Sequence, residues 1–159
     1  MCSSDLEDGM IGDCGFGRSI IRGLRAAWQR DTERRQAVQD VLQEHPGRAE
    51  GRVANWSIDR IAEYLRRDSR RLVRFGQIDD CELTGDERHI MSLLEDLRDG
   101  HEQRAQMKAQ WLVKPGKIVG FLERMRPLAD IANRHDLADA ELHRRGARSI
   151  MDAHHQGVL

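Results

Sequence analysis

A chain of 159 residues is a single-domain length, long enough for several helices to bury one core. Aromatic residues make up 4% and charged residues 33%, which suits thin amphipathic helices with wide solvated faces and argues against a sandwich or barrel of β-branched and aromatic strands. Basic and acidic residues, 26 against 27, leave a net charge of −1, so no global field draws the molecule to nucleic acid or to an anionic membrane.

The fold class expected is all-α, a compact bundle of about five to six amphipathic helices behind a flexible N-terminal tail. Residues 1–17 carry Gly9, Gly12, Gly15 and Gly17 among Asp, Glu and Ser, a composition that cannot bury enough surface to offset its ordering entropy. The tail is therefore expected over 1–17 and a single helical domain over 18–159. Gly15-Phe16-Gly17-Arg18-Ser19 lacks the preceding strand, the third glycine and the GK[ST] ending of a phosphate loop.

From Arg18, the spacing of Ile20, Ile21, Leu24, Ala27 and Trp28 predicts a helical face that Val38, Val41 and Leu42 resume, as one long helix or two, stopped by His45-Pro46-Gly47. Asn55 or Ser57 is expected to cap the next helix, with Ile58, Ile61, Leu65 and Leu72 inside it and Gly76 just past its end. Leu83-Thr84-Gly85-Asp86-Glu87 is the strongest start signal. Thr84 can accept from the amide three residues on, while Glu87 reaches back to the Thr84 amide. Ile90, Leu93, Leu94 and Leu97 then form a buried stripe ended by Gly100. Ala105, Ala109 and Leu112 line a narrow face with Met107 and Trp111 beside it, so 84–113 reads as an antiparallel helical hairpin. Ile118, Phe121, Leu122, Met125, Leu128 and Ala132 continue the pattern through Pro127, which is expected to kink the helix or begin a new one. A last helix is expected from Leu137 toward Met151.

Three cysteines, Cys2, Cys14 and Cys81, are odd in number and lack CxxC spacing, which indicates neither a disulfide framework nor a zinc knuckle and makes the cytoplasm the expected compartment. No run approaches the roughly 18 apolar residues of a membrane span, and no cofactor is expected. No catalytic set assembles: there is no GxSxG elbow, and Ser92 and Ser149 have no evident base beside them. His135, Asp139 and His143 fall at i, i+4 and i+8 and would share a helical face, which makes them the candidate metal ligands. Asp86 with His89, and Asp152 with His155, resemble the carboxylate–histidine pairs of di-iron bundles, but inward-facing bridging glutamates are not evident.

Arginine outnumbers lysine 23 to 3 and is spread along the chain, as codon bias in a GC-rich genome would spread it. Between Trp56 and Gly76, six arginines against three carboxylates leave a local charge of +3, whereas 79–102 holds nine carboxylates against two arginines, or −7. These neighbours are expected to face each other, within a chain or across a dimer. Arg66, Arg67, Arg70, Arg71 and Arg74 are the candidate interaction residues. The leading functional expectation is a helical interaction or regulatory module that binds a protein partner or a second copy of itself, with nucleic acid a lesser partner and membrane none.

Leu83-Thr84-x-x-Glu87-Arg88-x-Ile90-Met91-x-Leu93-Leu94 resembles the opening helix of the LuxR-type helix-turn-helix DNA-binding domain over about a dozen residues. The resemblance implies the alternative function, a DNA-binding regulator. The chain departs from that family's pattern by inserting three residues before Gly100 and by placing Lys108 where an isoleucine belongs. A metal-binding helical protein is the third reading.

Overall fold

The computed structural model describes residues 15–135. Six helices run through them: α1 Gly15–Gln29, α2 Thr32–Glu44, α3 Arg48–Asp68, α4 Gly85–Arg98, α5 Glu102–Leu112 and α6, residues 118–135. Among the described residues there is no strand beyond one isolated bridge, so the chain is an all-α bundle.

Gly15–Gly17, expected as the end of the tail, open α1 instead. Phe16 is buried with Ile20, Ile21 and Leu24, an apolar stripe that begins one turn before Ile20. The next hydrophobic stretch is a separate helix because Arg30 turns into the left-handed region (φ 56°) and Asp31 caps α2, its side chain accepting from the Arg34 amide at 3.0 Å. Val38 and Leu42 face inward, whereas Val41 is half-exposed.

α2 stops at His45, as expected, but α3 begins at Arg48, so Asn55 and Ser57 lie buried inside it and cap nothing. Gly51 makes this early start possible: a Cβ there would stand 2.3 Å from the Leu42 carbonyl oxygen, so only glycine lets α2 and α3 cross so closely. At the other end α3 stops at Asp68 rather than near Gly76. Ser69 leaves the helix to bridge Val113, the Arg70 amide donates to the Leu112 carbonyl at 2.9 Å, and the Lys114 amide donates to the Asp68 carbonyl at 3.0 Å. Residues 69–84 are consequently irregular, with Val73 and Ile78 buried and Leu72, expected in the core, 76% exposed.

The capping box forms in full at α4: Thr84 Oγ1 accepts from the Glu87 amide at 3.1 Å and Glu87 Oε2 accepts from the Thr84 amide at 2.8 Å. Ile90, Leu93, Leu94 and Leu97 are buried. The turn at Gly100 (φ 77°) reverses the chain into α5, whose buried face is only Ala105, Ala109 and Leu112. α6 continues through Pro127 without a break, with Phe121, Leu122, Met125, Leu128, Ala129, Ile131 and Ala132 buried. The expected helix 137–151 lies outside the described residues.

α1, α2 and α3 pack against one another, and α4 pairs with α5. α6 lies antiparallel along α3: Tyr64, late in α3, donates to the Lys117 carbonyl at the start of α6, while Glu50, early in α3, pairs with Arg134 and His135 near its end. One hydrophobic cluster draws on all six helices.

Candidate interaction surface

The five candidate arginines do not form a helical face. Arg66 and Arg67 sit in the last turn of α3, and Arg70, Arg71 and Arg74 follow on the irregular segment. Arg66 donates to the Ala27 and Trp28 carbonyls that end α1 and lies over the Trp28 ring. Arg67 pairs with Asp68, and Arg70 donates to the Gln110 carbonyl. Arg71 makes a two-pronged pair with Asp86, at 2.6 and 3.0 Å, while the Arg74 amide donates to that same carboxylate. The basic segment thus meets the acidic one within the chain, at the N-terminus of α4. The acids further along have other partners: Asp96 pairs with Lys108, and Asp99 with Arg98.

The strongest polar feature joins α1 to α4, and local spacing does not announce it. Arg25, on the buried stripe of α1, and Glu87 are almost fully inaccessible and joined through two hydrogen bonds of 2.7 and 2.8 Å. The remaining guanidinium donors reach the carbonyls of Ile78, Asp80 and Glu82, while Glu87 also accepts from the amides of Gly76 and Thr84. Burial by itself raises the Glu87 carboxyl, but the Arg25 guanidinium and the two amides outweigh it and hold the group below the usual carboxylate range. Every donor is satisfied, so this clasp organises residues 76–87 and offers a ligand nothing. The signal in the sequence was a charge at an apolar stripe position, Arg25 beside Leu24 and Trp28.

A second buried arginine, Arg35, binds the side-chain and main-chain oxygens of Asn55 and the Asp59 carboxylate, fastening α2 to α3. His135 bonds Glu50 at 2.9 Å and lies against Phe16 and His45; Asp139 and His143 lie outside the described residues. Asp86 is taken by Arg71 and Arg74, and the His89 ring contacts the Lys108 carbonyl, so that pair is engaged elsewhere. Among the described residues no cluster of three or more His, Cys, Asp or Glu is placed to hold a metal. Cys81 is disulfide-bonded, against the expectation from the odd cysteine count, which therefore no longer argues for a reducing compartment. Cys2 and Cys14 lie outside the described residues.

Large hydrophobic residues are exposed at several places, among them Val53 and Trp56 on α3, Leu72, and the outer face of α5. Met107 and Trp111, one turn apart, are 64% and 69% exposed. Gln103, Arg104, Gln106 and Gln110 are exposed around them, and the partly exposed Lys108 beside them is held by Asp96. No helix of the described residues is long and apolar enough to cross a membrane.

Compared with family models, curated proteins and solved structures, the chain matches none. The LuxR-like residues have structural duties here: Thr84 and Glu87 form the capping box, Glu87 holds Arg25, and Ile90, Met91, Leu93 and Leu94 are buried.

Proposed function

We propose that this protein is a helical interaction module that recognises a protein partner through the outer face of α5. The observation that carries the reading is the exposure of Met107 and Trp111 side by side on a glutamine-flanked surface whose nearest charges are Arg104 and the Asp96-paired Lys108. Scattered exposed hydrophobic residues are ordinary, but aromatic residues, Met and Arg are enriched in interface cores where Lys, Glu and Asp are depleted. α5 buries only two alanines and a leucine inward, so Met107 and Trp111 are outside the apolar core. The competing reading, a DNA-binding regulator, needs arginines gathered on one face for phosphate, whereas Arg66 and Arg67 end α3, Arg70, Arg71 and Arg74 lie on the irregular segment, and Arg71 is held by both oxygens of Asp86.

The test is capture from native lysate together with sedimentation of the purified protein, using wild type, Trp111→Ala and Met107→Ala. The expected result is a partner, or a self-associated form, that the wild type holds and both variants lose while their melting midpoints stay within a few degrees. A steep salt-dependent mobility shift with duplex DNA, unaffected by Trp111→Ala, would reverse the assignment.

A further inference from the structure

Away from α5, a small hollow between α3 and α6 is lined by Arg60, Glu63, Tyr64, Arg67 and Arg124. Its floor is the Tyr64 ring, which is held firmly. Its hydroxyl donates to the Lys117 carbonyl at 2.8 Å and the ring stacks on Phe121 at 6.1 Å. Gly120 gives it room, since a Cβ there would stand 2.6 Å from the hydroxyl oxygen. The Arg124 guanidinium lies 4.4 Å from the ring centroid and that of Arg67 lies 5.7 Å from it.

Three cations line this hollow, two of them over the Tyr64 ring, with Glu63 in its wall and Asp68 and Glu123 close enough to act on Arg67 and Tyr64. Arg67 gives its Nε to Asp68, Arg124 gives one Nη to the Gly120 carbonyl, and Arg60 rests over Trp56 with no hydrogen bond or ion pair among the described residues. These single contacts orient the planar groups and leave most of their donors unused, five being available on each arginine. The one lining carboxylate, Glu63, forms no ion pair among the described residues.

We propose that this hollow binds an oxyanion, specifically the phosphate group of a small molecule or free phosphate. Planar guanidinium forks match the oxygens of phosphate, and charge-assisted bonds from more than one arginine give both affinity and orientation. The cavity, about 30 Å³, accommodates about two oxygens at roughly 10–15 Å³ each, with the remainder of the anion in solvent.

Calorimetric titration of the whole chain with inorganic phosphate and, separately, with adenosine monophosphate, both at fixed ionic strength, tests this. One-to-one saturable binding is expected, weakened about tenfold or more in Arg60→Gln and in Arg124→Gln, the scale of one charge-assisted hydrogen bond, and strengthened in Glu63→Gln. Arg124→Gln also removes a contact to Tyr64, so the exposed Arg60→Gln, with an unchanged melt, is the deciding variant. Tighter binding of the monophosphate would identify the carried phosphate as the ligand, and equal binding the free ion. Absence of saturable binding up to the millimolar range, or binding indifferent to Arg60 and Arg124, would show that the arginines serve only as cation–π packing and would overturn the proposal.

Discussion

At the scale of single residues, the contrast between two ion pairs sets the energetics. Arg25 and Glu87 are buried with all their hydrogen bonds made, and removing one partner leaves an uncompensated charge in the interior. Arg25→Met is therefore expected to destabilise the fold by about 3–5 kcal/mol, whereas the double change Arg25→Met with Glu87→Gln should cost less than the single one. The Glu87 carboxyl is depressed in the folded state, so its contribution is complete above the unfolded value of about 4.3 and is lost as pH falls below it through the lower folded value. Acid titration of the melting midpoint should show that loss, and Glu87→Gln should flatten it. Arg71 and Asp86 present the other case, with the arginine side chain 52% exposed and the carboxylate 10%. A double-mutant cycle on them should give a coupling of about 0.5–1 kcal/mol that weakens with salt. The same cycle on Arg71 with Asp99 should give none, because Asp99 pairs with Arg98.

At the scale of the helices, local and non-local causes separate cleanly. Thr84→Ala removes one half of the α4 capping box and should cost about 1 kcal/mol in a chemical melt. Glycines make a sharper comparison: Gly51→Ala drives a methyl into the backbone of α2 and should destabilise by about 2 kcal/mol or more. Gly85→Ala, in the first turn of α4 with nothing within 4 Å of the added carbon, should be neutral or stabilise by up to about 1 kcal/mol. The same division explains what the sequence makes legible. The capping box, the α4 stripe, the narrow face of α5 and the stop at His45 are encoded by neighbours within a few residues, and each is found where local spacing puts it. The start of α3 depends on a helix crossing at Gly51, and its end depends on pairing between Ser69 and Val113, 44 positions apart, which local spacing cannot report. That pairing is also why Leu72 is outside the core and why the candidate arginines divide between a helix and an extended segment. Met107 and Trp111 are legible as residues beside a buried face, but that glutamines flank them emerges only when the exposed positions of α5 are seen together.

At the scale of the molecule, the question is whether α1–α3 and the α4–α5 hairpin behave as one unit. The first three helices pack mutually and the hairpin packs on itself, so each has the beginnings of a separate core. Several ties cross between them: the Arg25–Glu87 clasp, the Ser69–Val113 bridge, and α6, which runs along α3 while Arg126 pairs with Glu102 of α5. The apolar cluster is also continuous, with residues from every helix. Total stabilities of domains are about 5–15 kcal/mol, so a clasp worth 3–5 kcal/mol is a large part of the whole and should be felt everywhere. Unfolding is accordingly expected to be a single transition, with amides at Ile61 in α3, Leu94 in α4 and Phe121 in α6 exchanging through the same global opening. Arg25→Met should speed all three by a similar factor and lower the melting midpoint by about 10 °C, since 1 kcal/mol shifts a chain of this size by about 2–4 °C. If Leu94 instead exchanged faster while Ile61 kept its wild-type rate, the hairpin would be an independently opening unit and the clasp a local fastening of α4. Parallel acceleration at the three sites would locate the cooperativity of the bundle in the seam where a buried arginine from the first helix meets the capping glutamate of the fourth.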